Sequence, residues 1–314
     1  MNNTTGCISA DWPPTYDRRN NRVKGFCNFK IDDRRLYNRM MREIRSARER
    51  HPQATRTTVQ AFAEPSLMRG VESEGLSIEA RFPVDNVFSG FELFYIGHNL
   101  DERLPDFSVL NAERSSVVGL EKTSRRRPQD VFGRMLSRGY HIQTLNGTSN
   151  GEIPQLLELY GQAYREYTFE INSHTIMDML DNGNIVLTGR SPEGRIVSCL
   201  VAEHAVVEIN GQEIDLYELT DYATLREHRR NGLITAMQIA VVSMIRQLEH
   251  GPESIIYAED RAAWEAVNIS SHHAGLEYCG TLRKHCILVS DRTFPEQGRF
   301  ENLNVWIAPP EVER

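Results

Sequence analysis

The sequence predicts a two-domain α/β (α+β) protein, with a mixed sheet flanked by helices in the C-terminal domain and a smaller α/β domain before it. Three observations predict it. The 314 residues, 40% of them apolar, exceed what one core usually serves. From Val23 onward, alternating strand patterns interleave with amphipathic helical spacing. One stretch, Glu218 to Gln238, carries a strand into a helix through the turn Arg229-Arg230-Asn231-Gly232.

Residues 1–22 are polar, aperiodic and Pro-containing, and read as a loose tail. Residues 23–103 read as the small α/β domain. Lys24 to Ile31 has strand character, and Asp32-Asp33 can cap a helix over Arg35 to Arg50. That helix places Leu36, Met40, Met41, Ile44 and Ala47 on one face. Thr57 to Phe62 follows as a strand, Pro65 to Glu74 as a short helix, and Leu76–Phe82 and Glu92–Gly97 as strands around a turn-rich loop. Residues 104–138, with the basic run Arg125-Arg126-Arg127-Pro128, read as a linker whose one candidate helix is Gln129 to Arg138.

Residues 139–314 read as the second domain. Tyr140–Leu145 is a strand, Ile153 to Tyr167 a helix, and Ile176 to Asn182 a short helix. Strands Asn184–Gly189 and Arg195–Ala202 flank a turn, and a meander through Ala205–Ile209 turns at Asn210-Gly211 into the central strand at Ile214. Leu233 to Leu248 is the central helix, Ser254–Glu259 a strand and Arg261 to His273 a helix; strands from Gly275 and Asn304 close the chain. A helix that begins at a glycine turn leaves backbone N–H groups unpaired. With two arginines beside them they form an anion site suited to a phosphate.

Net charge is −7, which argues against nucleic acid as partner. Cys7, Cys27, Cys199, Cys279 and Cys286 show no CxxC spacing and fit free thiols in a reducing cytosol. No signal peptide and no apolar run near 18 residues is present, so the expectation is a cytoplasmic protein with no membrane partner. His272 and His273 are consecutive on a helix and cannot face one metal, so no metal is expected.

The order of elements around the Arg-x-x-Gly turn resembles the GNAT acyl-CoA N-acyltransferases. Thr220-Asp221-Tyr222-Ala223-Thr224-Leu225, Asn268-Ile269-Ser270, Gly280-Thr281-Leu282 and Asn302-Leu303-Asn304-Val305-Trp306 look like the β-lysine N-acetyltransferase family. Glu79-Ala80-Arg81-Phe82-Pro83 and Gly90-Phe91-Glu92-Leu93-Phe94 match it in the first domain, which reads as a degenerate GNAT-like half. The resemblance spans roughly residues 25 to 308.

It implies transfer of acetyl from acetyl-CoA to the amine of a small amino acid such as β-lysine. CoA pyrophosphate would sit on the N–H groups of Arg230, Asn231, Gly232, Leu233 and Ile234, near Arg229. Tyr222, Ala223 and Thr224 would meet the pantetheine, and Asn268 would also bind the cofactor. Glu218 and Asp221 are the candidate bases; their odd spacing puts them on opposite faces of a strand unless a bulge intervenes. Tyr164, Tyr167 and Phe169 would wall the acceptor pocket. Many GNAT enzymes have a tyrosine acid four residues before the glycine that matches Gly275; here that residue is Ser271. Ile234 also stands where a small residue is usual, and Arg283-Lys284-His285 is basic where a cationic acceptor would favour acid. Acylation of a different amine or specialised metabolite, and CoA binding without turnover, remain alternative readings. A homodimer is left open.

Overall fold

The computed structural model describes residues 12–100, 103–145, 151–167, 170–181, 183–290 and 300–310. The first elements are β1 (Thr15–Asp17), β2 (Arg22–Phe26), α1 (Arg34–Arg50), β3 (Arg56–Ala63), α2 (Pro65–Met68), β4 (Ser77–Pro83) and β5 (Glu92–Asn99). Helices α3 (Phe107–Glu121) and α4 (Pro128–Leu136) follow. Then come β6 (His141–Thr144), α5 (Glu152–Ala163), β7 (Tyr164–Glu166), α6 (Ser173–Asp181), β8 (Ile185–Arg190), β9 (Ile196–Ile209) and β10 (Gln212–Thr224). The chain continues through α7 (Leu233–Arg246), β11 (Ile255–Arg261), α8 (Glu265–Ala274), β12 (Glu277–Cys286), β13 (Val289–Ser290) and β14 (Glu301–Ile307).

Among the described residues twelve strands form one sheet, in the order β1-β2-β3-β5-β4-β12-β14-β11-β10-β9-β8-β6. The short β7 and β13 pair separately. The sheet contains a repeat. β2-β3-β5-β4 matches β10-β11-β14-β12 in order and in direction: one parallel pair, then two antiparallel pairs. Gly25 pairs with Val59 as Leu219 pairs with Ala258, and Ile78 pairs with Ile96 as Tyr278 pairs with Trp306. Even the irregularities correspond, with a one-residue bulge between Ile78 and Ala80 and another between Tyr278 and Gly280.

The two copies meet edge to edge through β4 and β12, where Ala80 pairs with Gly280. Only glycine fits there. A Cβ on Gly280 would lie 2.2 Å from the Glu79 carbonyl oxygen, and its φ is 148°. Beside this seam the buried Glu79 carboxylate forms an ion pair with buried Arg56, which also donates to the Arg283 carbonyl at 2.6 Å. The Glu79-Ala80 motif thus holds the seam.

The sheet is curled. β2 and β11 stand six places apart in the order, yet Lys24 and Glu259 line a common cavity, and the Tyr95 and Tyr257 rings lie 6.4 Å apart. The concave face carries a core that draws on both halves, including Phe26, Phe62, Phe82, Leu282, Leu303 and Val305. The other face of the first half is covered by α1 through Tyr37, Met40, Met41, Ile44 and Ala47. Asp33 caps that helix, its side chain accepting from Leu36 N.

Several expectations change. Within the expected tail, residues 15–17 form an edge strand, and Asn20 and Arg22 are buried. The stretch 104–138 holds two helices. α3 escapes periodicity because its buried face, Leu110, Glu113 and Val117, includes a carboxylate, which accepts from Asn302 Nδ2 at 2.7 Å. The helix read to Tyr167 ends at Ala163, where the chain turns extended, and the helix read from Arg261 starts at Glu265. No helix among the described residues is long and apolar enough to cross a membrane.

Candidate active site

The β10–β11 ladder ends at Leu219 and Ala258, although both strands run on to Thr224 and Arg261. They splay because β10 carries a bulge against β9 between Thr220 and Ala223, with Asp221 at φ 54°. An extra residue bends the bulged strand and increases its twist. Three tyrosines hold the bend. Tyr160 donates to the Asp221 carbonyl at 2.9 Å, Tyr164 to the Tyr222 carbonyl at 2.5 Å, and Tyr167 to Asp221 Oδ1. Tyr164 and Tyr167 therefore meet the bulge itself; Phe169 lies outside the described residues. The charge of Asp221, at the bulge, acts on Glu218.

Beyond the bulge, Thr224 leads to the turn before α7. Arg230 and Gly232 there have φ of 65° and 80°. The first helical bond runs from Ala236 N to the Gly232 carbonyl, so the N–H groups of Leu233, Ile234 and Thr235 at the helix start have no backbone partner among the described residues. The Leu233 side chain is buried and Ile234 packs on the same core, so the apolar parts point inward from the N–H groups. Arg229 Nε donates to the Thr224 carbonyl at 3.1 Å and the guanidinium lies 5.7 Å from the Trp264 ring; Arg230 is exposed. Asn231 braces the loop, its Nδ2 donating to the His228 carbonyl at 2.9 Å.

On the concave side of the splay lie carboxyl groups. Glu218 is 2% exposed, pairs across β9 with Glu203, and accepts from Tyr257 at 3.4 Å. Burial first, then the charges of Glu259, Glu203 and Asp221, hold its carboxyl well above the usual range. Burial raises Asp221 to about 6, against the pull of the Tyr167 and Thr220 hydroxyls. Burial also raises Glu259, opposed by Arg22, Arg56 and Lys24.

The opposite wall holds a group that sequence reasoning missed. Asp260 is buried, one residue after Glu259 on β11, and its Oδ2 accepts from Ser271 at 2.5 Å. Gln238 Nε2 donates to Ser271 Oγ at 2.8 Å and to the Tyr222 hydroxyl at 3.2 Å, so a polar chain crosses the splay. Asp260 Oδ1 has no hydrogen-bond partner among the described residues, and burial pushes this carboxyl to about 8. Two adjacent acids ending the apolar run Ile255-Ile256-Tyr257-Ala258 were the available signal.

Asn268 behaves differently from the expectation that it binds cofactor. Its Nδ2 donates to the Arg261 and Trp264 carbonyls at 2.9 Å each, and its Oδ1 accepts from Asn304 at 2.8 Å and Trp306 at 3.2 Å. An amide has four such positions. All are filled, so Asn268 braces α8 against β11 and β14. No group of three or more His, Cys, Asp or Glu among the described residues is placed to hold a metal ion.

Comparison with known proteins bears on this geometry. Residues 144–258 match the family model of the acetyltransferase (GNAT) domain. No curated protein matches the chain. Among solved structures, Arabidopsis thaliana NAA60 with a bisubstrate analogue superposes with a TM-score of 0.42 at 11% identity, covering 54% of this chain and 97% of that one. The ribosomal-protein-S18-alanine N-acetyltransferase of Escherichia coli gives 0.40 at 14%, covering 56% and 96%. A mutant of the spermidine N-acetyltransferase SpeG of Vibrio cholerae gives 0.39 at 10%, covering 54% and 93%. At these scores the superpositions add nothing to the family match. That match runs from the end of β6 through the bulge and the α7 turn to β11, so the stretch that builds the splay is the one similar to an acetyltransferase (GNAT) domain.

Proposed function

We propose that the chain transfers acetyl from acetyl-CoA to the amine of a small amino acid, β-lysine being the candidate that the family resemblance names. One observation carries the reading. The splay between β10 and β11 opens between the N–H groups at the start of α7 and a cluster of carboxyl groups on its concave side. A phosphate suits the first and an ammonium the second.

In this reading the CoA pyrophosphate rests on the N–H groups of Leu233 and Ile234 beside Arg230, and the pantetheine enters the splay along Tyr222 to Thr224. Glu218 and Glu259 receive the ammonium, whose charge offsets the burial that keeps them protonated. Asp221, ionised above about pH 6, takes the proton. The freed amine attacks the thioester carbonyl; the N–C bond forms and the C–S bond breaks. Asp260, still protonated near neutrality, gives its proton to the leaving thiolate and is restored by the second proton that the new amide nitrogen releases, with Ser271 holding the carboxyl in place. Ser271 thus positions the acid instead of acting as one.

Thiol release from acetyl-CoA against lysine, β-lysine, ornithine and polyamines tests this, with Glu218→Gln and Asp221→Asn run beside the wild type. Release with an amino acid that Asp221→Asn abolishes supports the reading. Tight CoA binding without release on any amine would leave a CoA-binding protein in its place.

A further inference from the structure

The internal repeat places opposite charges on the two walls of the concave face. Lys24 pairs with Thr58 as Glu218 pairs with Tyr257, so Lys24 holds in the first half the register position of Glu218 in the second. By the same register Gln60 corresponds to Glu259. A carboxylate pair in one copy is thus a lysine and a neutral amide in the other. Antiparallel partners at the seam project to the same side, so both sets face the concavity. The curl brings them together, because Lys24, Gln60, Tyr95, Glu259, Arg22 and His285 line one partly open cavity of about 30 Å³. That is room for roughly two water-sized oxygens.

The field in this cavity is positive on the first-half side. Arg22 is ion-paired with Asp17 at 2.8 Å, whereas Lys24 makes no ion pair among the described residues. His285 is kept neutral, first by burial and then by Arg22, Arg56, Arg103 and Lys24. Glu259, across the cavity, is the first residue past the end of the β10–β11 ladder, and its charge acts on Glu218.

We propose that the first half supplies a carboxylate-binding site for the acceptor: Lys24, with Arg22 behind it, receives the carboxylate of an amino acid whose amine lies by Glu218 and Asp221. The site rests on the acetyl-transfer reading and adds the reason the acceptor is an amino acid. A simple amine would leave Lys24, among the described residues, with only the charges of Glu259 and Asp17 to balance it. It also gives the first half a direct part in substrate choice.

The test compares amino acids with their decarboxylated counterparts as acceptors: lysine with 1,5-diaminopentane, and ornithine with 1,4-diaminobutane. The wild type should favour the amino acid of each pair at least tenfold in kcat/KM. Lys24→Gln should collapse that preference to within about twofold, through KM for the amino acid, and Lys24→Arg should retain it. Gln60→Glu, which adds a negative charge to the same cavity, should also collapse it and serves if Lys24→Gln does not fold. Equal loss on both members of a pair would mean that Lys24 only balances Glu259, and would overturn the proposal while acetyl transfer stands. A wild type that favours the decarboxylated amine would overturn it too. No thiol release with any amine would remove the acetyl-transfer reading, and the carboxylate site with it.

Discussion

Ser271 Oγ donates to Asp260 Oδ2 at 2.5 Å, and the other oxygen of that buried carboxyl is left without a hydrogen-bond partner among the described residues. A carboxyl so placed in the wall of the splay, raised by burial to about 8, is an acid at neutral pH. Its conversion to carboxylate above pH 8 should remove the proton that the leaving thiolate needs.

Asp260→Asn should therefore lower kcat about 10²-fold near neutrality, within the range of general acid catalysis. Wild-type activity should fall above pH 8 relative to the variant, because only the wild type loses its proton there. The acceptor amine titrates alike in both enzymes, so the rate ratio isolates Asp260. A ratio flat from pH 6 to 9 would rule out Asp260 as the acid.

Stability carries the same signature. The folded-state carboxyl has a raised affinity for its proton, so its stabilising share is full below the unfolded value near 4 and is lost as pH rises through about 8. Each pH unit in that window removes up to about 1.4 kcal/mol. The melting temperature of Asp260→Asn should accordingly gain on the wild type from pH 5 to pH 9 in a thermal melt.

Asp221→Asn should cost about 10²- to 10⁴-fold in kcat with the Kd for CoA unchanged. Tyr167→Phe removes a hydrogen bond that favours the ionised carboxylate. The acid limb of the pH–rate profile should then move upward from about 6. An unmoved limb would assign the base elsewhere, Glu218 being next.

Gly232→Ala forces a side chain into φ 80° at the start of α7. The left-handed conformation costs a non-glycine residue roughly 1–2 kcal/mol, enough for the turn to relax and withdraw its N–H groups. The Kd for CoA by calorimetry should rise about tenfold, with kcat at saturating acetyl-CoA within a few-fold of the wild type.

Gly280→Ala should be among the most destabilising single changes in the chain. Its Cβ would meet the Glu79 carbonyl oxygen at 2.2 Å in a conformation side chains avoid. About 2–4 kcal/mol of lost stability in urea unfolding is expected from strain and overpacking together.

Most of the elements and the α7 turn were legible in the sequence, because each is written locally. Met40, Met41 and Ile44 mark a helix face by spacing, and Gly232 marks a turn by its backbone freedom. Asp221 was legible as a candidate, but the bulge that turns it was not. That bend is set by hydroxyls of Tyr160 and Tyr167, which lie 61 and 54 residues away in the chain. Asn268 stood out by motif, yet its work is bracing, since whether an amide binds a ligand or its own fold depends on neighbours no spacing reveals. Asp260 was missed for the same reason: burial, which gives it its chemistry, is a property of the assembled walls. The correspondence of Lys24 with Glu218 is invisible to residue identity and emerges only from strand register.

The Ala80–Gly280 pairing has a structural consequence for the molecule as a whole. A sheet that ends in an unpaired strand invites another chain to add to it. Here the strand each half would otherwise expose is matched by its counterpart from the same polypeptide. The molecule is in effect a dimer folded within one chain, with a stoichiometry that cannot be diluted apart. Because the two copies differ in sequence, one carries Glu218 and Glu259 where the other carries Lys24 and Gln60, an asymmetry that two identical subunits could not encode.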